Sequence, residues 1–246
     1  MKKLITSVVL SITLVLSSCT ALQSLGLSDF DKIAGLREAL TNGLFSGFDA
    51  FAKGDQGNAL IRFAFPGDAA KIEQTLNTLG LSKTVNSLTQ KYTKAMGEAV
   101  VEAKPIFLNS VKRMSFTDVT GILLSNNHHA ATEYFKSSMT NDLLAAFAPI
   151  VTKSINVNGG DKEYQTIAKA YNTFAFGGKK METNLTDFIS GRVIDAMFAY
   201  VGKEEENIRT NLSFRTTPLL QRVFGYVDQQ KSLNNSSSRS GGILAN

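Results

Sequence analysis

Apolar side chains return every three or four positions along most of this chain, and that spacing admits little besides amphipathic helices packed against one another. The clearest stripe is Val85, Leu88, Tyr92, Ala95, Met96 and Ala99. Shorter stripes run through Ile33, Leu36, Leu40 and Leu44, and through Ile72, Leu76 and Leu79. Capping patterns precede them at Ser28 with Asp31, at Asp68, at Ser82 and at Ser115–Asp118, while Thr217-Pro218 pairs a cap with proline at a first helical position. Pro105 either kinks its helix or opens a new one. Further helices are predicted over Ala130–Met139, Leu143–Ile155, Tyr164–Phe174 and Leu185–Val201. The last of these is the most apolar and belongs at the centre. Glu204-Glu205-Glu206 reads as a polar turn after Gly202.

The least regular stretch is Gly43–Gly67, where five glycines alternate with Phe45, Phe48, Phe51, Phe63 and Phe65. Near residues 58–66 the pattern allows one short extended segment. Ser, Asn and Gly dominate after Gln229, which leaves nothing to bury and predicts a disordered tail. The expectation is a mainly α, compact single domain of seven to ten helices over residues 28–228, followed by a tail at 229–246.

The N-terminus speaks to destination. Lys2 and Lys3 precede a mostly apolar run, Leu4–Leu16, too short for an ordinary bilayer span and suited to a signal peptide over residues 1–18. It ends in Leu16-Ser17-Ser18-Cys19, at the sole cysteine of the chain. This resembles a bacterial lipobox, and the resemblance implies that Cys19 is acylated after cleavage, with residues 19–27 as a tether. Thr20 and the lack of an acidic cluster after Cys19 resemble the sorting pattern of outer-membrane lipoproteins that face the periplasm. Without Lys2 and Lys3 the chain keeps 24 basic against 21 acidic side chains, too slight and too scattered an excess for nucleic acid.

Catalytic signatures are sparse. His128 and His129 are adjacent, no third histidine exists, and neither a calcium-loop spacing nor a G-x-S-x-G elbow is present, so no metal or cofactor is expected. Asn158–Asp161 and Phe176–Lys180 are glycine loops without phosphate-loop spacing. The candidates are charges set in apolar context: Glu98, Asp118, Arg209 and Arg215. If buried, they must be paired. They form either a structural network joining the last helices to the centre, an anion or headgroup niche at Arg209 and Arg215, or an acid–base pair at Glu98 and Asp118. The phenylalanine cluster reads as packing, or else as a lipid-accepting cavity or membrane-apposed face near the anchored end.

Several segments together resemble the DUF4197 family, bacterial predicted lipoproteins of unknown function. They are Gly35–Leu40, Phe65-Pro66, Ala103–Phe107, Met114–Val119, Ala130–Phe135, Pro149–Val151, Glu205–Arg209 and Arg215–Gly225. The turn before Ala130, often rich in glycine and aspartate there, is Ser125-Asn126-Asn127-His128-His129 here. The resemblance implies a helical envelope protein and no particular activity. The expected role is binding, of an apolar or anionic ligand or an envelope partner. A hydrolase using buried carboxylates and a structural scaffold are the alternatives.

Overall fold

The structure, a computed structural model, describes residues 26–241 apart from residues 56, 175–179 and 183. Cys19, the signal segment and most of the Gly177–Lys180 loop lie outside the described residues. Those described form α1 Asp29–Lys53, α2 Ala69–Thr78, α3 Ser82–Arg113, α4 Val119–Leu124, α5 Ala130–Asn158, α6 Asp161–Phe174, α7 Leu185–Thr210 and α8 Pro218–Gly241, with a 3-10 turn at Leu212–Phe214. No β-strand occurs among them. Residues 58–66 form turns and an irregular stretch that buries Ile61, Phe63 and Phe65.

The four long helices α1, α3, α5 and α7 pack in a ring, each against two neighbours. Phe48 meets Phe107 and Arg37 donates to the Met114 carbonyl, so α1 and α3 are antiparallel. Phe107 against Phe147, with Lys153 paired to Glu102, sets α5 antiparallel to α3. Phe135 against Phe198, with Thr152 bonded to Thr186, does the same for α5 and α7. Gly43 opposite Val201 and Gly47 opposite Met197 close the ring. This is an up-down-up-down four-helix bundle around one continuous core. Its lower end gathers the starts of α1 and α5, the ends of α3 and α7, and the short α4. Its upper end carries α2, α6 and residues 54–68.

Local chemistry explains most boundaries. Ser28, Asp68 and Asp118 each accept a bond from the backbone N–H three residues on, at 3.1, 3.1 and 2.8 Å, and so start α1, α2 and α4. Gly54 takes the left-handed conformation that ends α1. Four expectations need correction, and one pair of alternatives is decided. Ser82 is the first residue of α3 rather than its cap, since Leu81 precedes it without a side-chain bond. Of the two readings of Pro105, the new helix does not occur: the proline lies inside the 32-residue α3, on an exposed position. The segments Ala130–Met139 and Leu143–Ile155 are one helix, because Asn141 and Asp142 between them face solvent and need no break. Glu204–Glu206 continue α7 instead of forming a turn, since Glu205 finds buried partners. The tail beyond Gln229 is helical to Gly241. Once nucleated by the buried stripe ending at Val227, a helix extends at small cost per residue, and Lys231 anchors it by donating to the Ser125 carbonyl at 3.0 Å.

Close packing of α1 depends on glycine. A Cβ on Gly43 would lie 2.4 Å from the Val201 Cα, against backbone that no rotamer change can move aside. Gly191 on α7, by contrast, has open space around the position of a Cβ. Gly43→Ala is therefore predicted to destabilise the bundle by about 1–3 kcal/mol through overpacking. Gly191→Ala is predicted to stabilise it by about 0.5–1 kcal/mol through helix propensity. Urea unfolding of the two variants beside the parent chain measures both signs.

Candidate functional site

The most buried charge in the described chain is Glu205, at 0% exposure on α7. Its carboxylate accepts from the backbone N–H groups of Ala131 at 2.9 Å and Thr132 at 2.7 Å, from the Thr132 hydroxyl at 2.7 Å, and from Arg209 Nε at 2.8 Å. Those backbone groups belong to the first turn of α5, where His129 occupies the cap position without a side-chain cap bond. A carboxylate from a neighbouring helix thus does the capping and meets the positive end of the α5 dipole. His129 instead sets its Nδ1 3.0 Å from the Gly202 carbonyl oxygen.

Arg209 carries the pattern onward. Its side chain is 3% exposed, and its remaining nitrogens donate to the Leu123 carbonyl at 2.9 Å and the Ile122 carbonyl at 3.1 Å, which end α4. Arg215 donates to the carbonyls of Ile208 and Arg209 at the end of α7 and grips Asp228 of α8 with both terminal nitrogens. Both guanidinium groups stand over the Phe224 ring, at 5.6 and 5.9 Å. Burial, and then the charge of Arg209, hold the nearby Lys231 ammonium below its usual pKa. Every nitrogen of Arg209 and Arg215 has an acceptor within the chain.

Glu98 and Asp118 are not brought together. Asp118 is exposed and occupied as the cap of α4. Glu98 sits on α3 with its side chain 45% exposed, accepts from Asn158 Nδ2 and lies 3.6 Å from Lys94. The two carboxylates line different depressions. Among the described residues no group of three or more His, Cys, Asp or Glu could hold a metal ion. Sequence reasoning missed Glu205 because the run of three glutamates looked like a solvated turn. The available signal was its place on the buried stripe Val201, Glu205, Ile208, with Arg209 one helical turn on.

A groove of about 600 Å³ lies at the upper half of the bundle, between the end of α1 and the middle of α3. Phe51, Gly97 and Val101 give it an apolar lining, and Lys94, Glu98 and Glu102 lie along it. Gly97 would place a Cβ 3.0 Å from the Phe51 carbonyl oxygen, so the bare glycine permits both the close helix approach and the hollow beside it. Of the phenylalanine cluster, Phe48, Phe51, Phe63 and Phe65 are buried, and exposed Phe45 lies under Lys104 at 4.9 Å. Phe63 and Phe65 pack with Tyr92 and Tyr164. Burial first, then the Asp161 carboxylate, pushes the Tyr92 phenol up, and burial with Glu182 does the same for Tyr164. The Tyr164 hydroxyl donates to the Glu182 carbonyl, whereas the Tyr92 hydroxyl has no hydrogen-bond partner among the described residues.

Two predictions follow from these surroundings. Glu205→Ala leaves a buried guanidinium unpaired and two helix N–H groups bare, and is predicted to cost about 3–5 kcal/mol. Asp118→Ala should cost about 1 kcal/mol as a lost cap, and Glu98→Ala less than about 0.5 kcal/mol, a ranking that denaturant unfolding reads directly. The raised phenols act on pH dependence. Their stabilisation is complete below the unfolded tyrosine pKa and is lost as pH rises through it towards the folded value. Stability should therefore decline above about pH 10. Tyr92→Phe, which removes an unpartnered hydroxyl, should flatten that decline while shifting neutral-pH stability by less than about 1 kcal/mol, as measured by urea unfolding across pH.

Comparison with known proteins places this geometry in context. No curated protein and no solved structure matches the chain. The profile of a family described as "Protein of unknown function (DUF4197)" matches residues 26–225, a span that runs from just before α1 into α8 and includes Glu205, Arg209 and Arg215. The chain belongs to the DUF4197 family.

Proposed function

We propose that this chain is a lipid-anchored cell-envelope protein, acylated on Cys19 and held at the outer membrane on its periplasmic side, whose bundle binds a small ligand rather than transforming it. The lipobox-like Leu16-Ser17-Ser18-Cys19 after a short apolar run supports the anchor. Two or more acyl chains give durable attachment where one would be marginal.

The groove carries the binding half of the reading. Its volume is in the range of small-molecule sites, and its apolar lining with a few charged groups suits a ligand with an apolar body and a polar head. Lys94 is the cation on its lining, available to an anionic head once released from Glu98. Catalysis gains no support from the same geometry, since Glu98 and Asp118 face different depressions and the arginine nitrogens are committed to helix ends and carboxylates.

Phe51 stands about 33 Å along α1 from Asp29, at 1.5 Å per residue. The groove therefore opens far from the tether and reaches ligands in the periplasmic space rather than within the bilayer. Native mass spectrometry of the acylated chain from its own envelope tests the proposal. An added small-molecule mass is expected, and Ala52→Trp, which fills the groove from an exposed position on its lining, should remove it. Metabolic labelling with a fatty-acid probe should mark the parent chain and not Cys19→Ala, which should also leave the membrane fraction.

A further inference from the structure

The lower end of the bundle, where the described chain begins, carries apolar side chains that the core does not use. Phe30 in the first turn of α1 is 79% exposed, and Leu212 and Phe214 in the 3-10 turn after α7 are 72% and 36% exposed. Because Gly43 pairs with Val201 and Gly47 with Met197, α1 and α7 run antiparallel, and the start of α1 lies level with the end of α7. All three side chains therefore sit at one end of the molecule. The acidic residues around Phe30 are neutralised, Asp29 by Lys32 at 2.9 Å and Asp31 by Arg222 at 2.6 Å. Lys112 and Arg113 close α3 towards the same end, exposed and without an ion-pair partner among the described residues.

We infer that this end is a bilayer-docking surface, with Phe30, Leu212 and Phe214 seated at the boundary between headgroups and acyl chains and Lys112 and Arg113 facing anionic headgroups. The inference rests on the acylation of Cys19 proposed above. The seven peptide steps from Cys19 to Gly26 span at most about 25 Å. An anchored bundle thus cannot drift far from the membrane, and the end nearest its anchor exposes the aromatic rings Phe30 and Phe214 beside Leu212. Such groups partition into the interfacial zone, and basic side chains near an anionic surface add attraction. The lower end presents both, whereas the groove opens at the opposite half.

The chain contains no tryptophan, so each substitution to tryptophan creates a single reporter. Phe30→Trp, Leu212→Trp, Phe214→Trp and the upper-end control Leu79→Trp, itself an exposed position, are made in the full acylated protein and reconstituted into phosphatidylethanolamine–phosphatidylglycerol vesicles. The expected result is a blue-shifted emission at positions 30, 212 and 214 that is lost when the lipids carry brominated acyl chains, with no change at position 79. Co-floating protein whose three lower-end reporters stay unquenched overturns the docking surface and leaves the anchor standing. A blue shift that vanishes on lowering the protein-to-lipid ratio assigns the surface to a second copy and also overturns it. A chain that bears no acyl mass and fails to float with the vesicles overturns the anchor, and the docking surface with it.

Discussion

A carboxylate removed from water costs several kcal/mol unless its lone pairs are all met, and Glu205 meets that condition with four donors. The arrangement of the lower half follows from this one group. Its partners are the bare N–H groups of α5 and the Arg209 guanidinium, so α7 and α5 can face each other in only one register. Arg209 then closes α4, and Arg215 closes α7 while reaching α8. Helix ends that would otherwise demand water are satisfied from neighbouring helices, and the segments they terminate are tied together by the same contacts.

The two ends of the bundle use different physics. Below, charge and helix dipoles set the geometry around Phe224. Above, Phe63 and Phe65 pack ring against ring with Tyr92 of α3 and Tyr164 of α6. Glycine governs the separation of the helices. Gly43 brings α1 against the backbone of α7, and Gly97 brings α3 against the end of α1. The missing side chain at Gly97 also opens the groove, so the hollow and the close approach share one cause.

Much of this was legible in the residues, and the exceptions have physical causes. The stripe from Val85 to Ala99 is the buried face of α3, and the caps at Ser28 and Asp68 act where their spacing places them, whereas in Ser115–Asp118 the cap of α4 is Asp118 rather than Ser115. Boundaries differ where polar side chains ride on a continuous helix. Asn141 and Asp142 merely face water, and Glu204–Glu206 ride on a helix whose inner face accepts one of them. The candidate site was half visible. Arg209 and Arg215 stand out as cations among apolar neighbours, yet their partners, the Leu123 and Ile208 carbonyls and Asp228, are main-chain or tertiary choices that no local pattern announces. Periodicity shows which face of a helix turns inward. It does not show which distant helix end is waiting there.

The position of Glu205 also sets a timetable. Ribosomes deliver the chain from its N-terminus, so α5 exists with its first N–H groups uncapped until α7 has been made. At about 5–20 residues per second, the stretch from Thr132 to Glu205 takes about 4–15 s, and Asp228 comes later still. During that interval the nascent bundle lacks the contacts that lock its lower end.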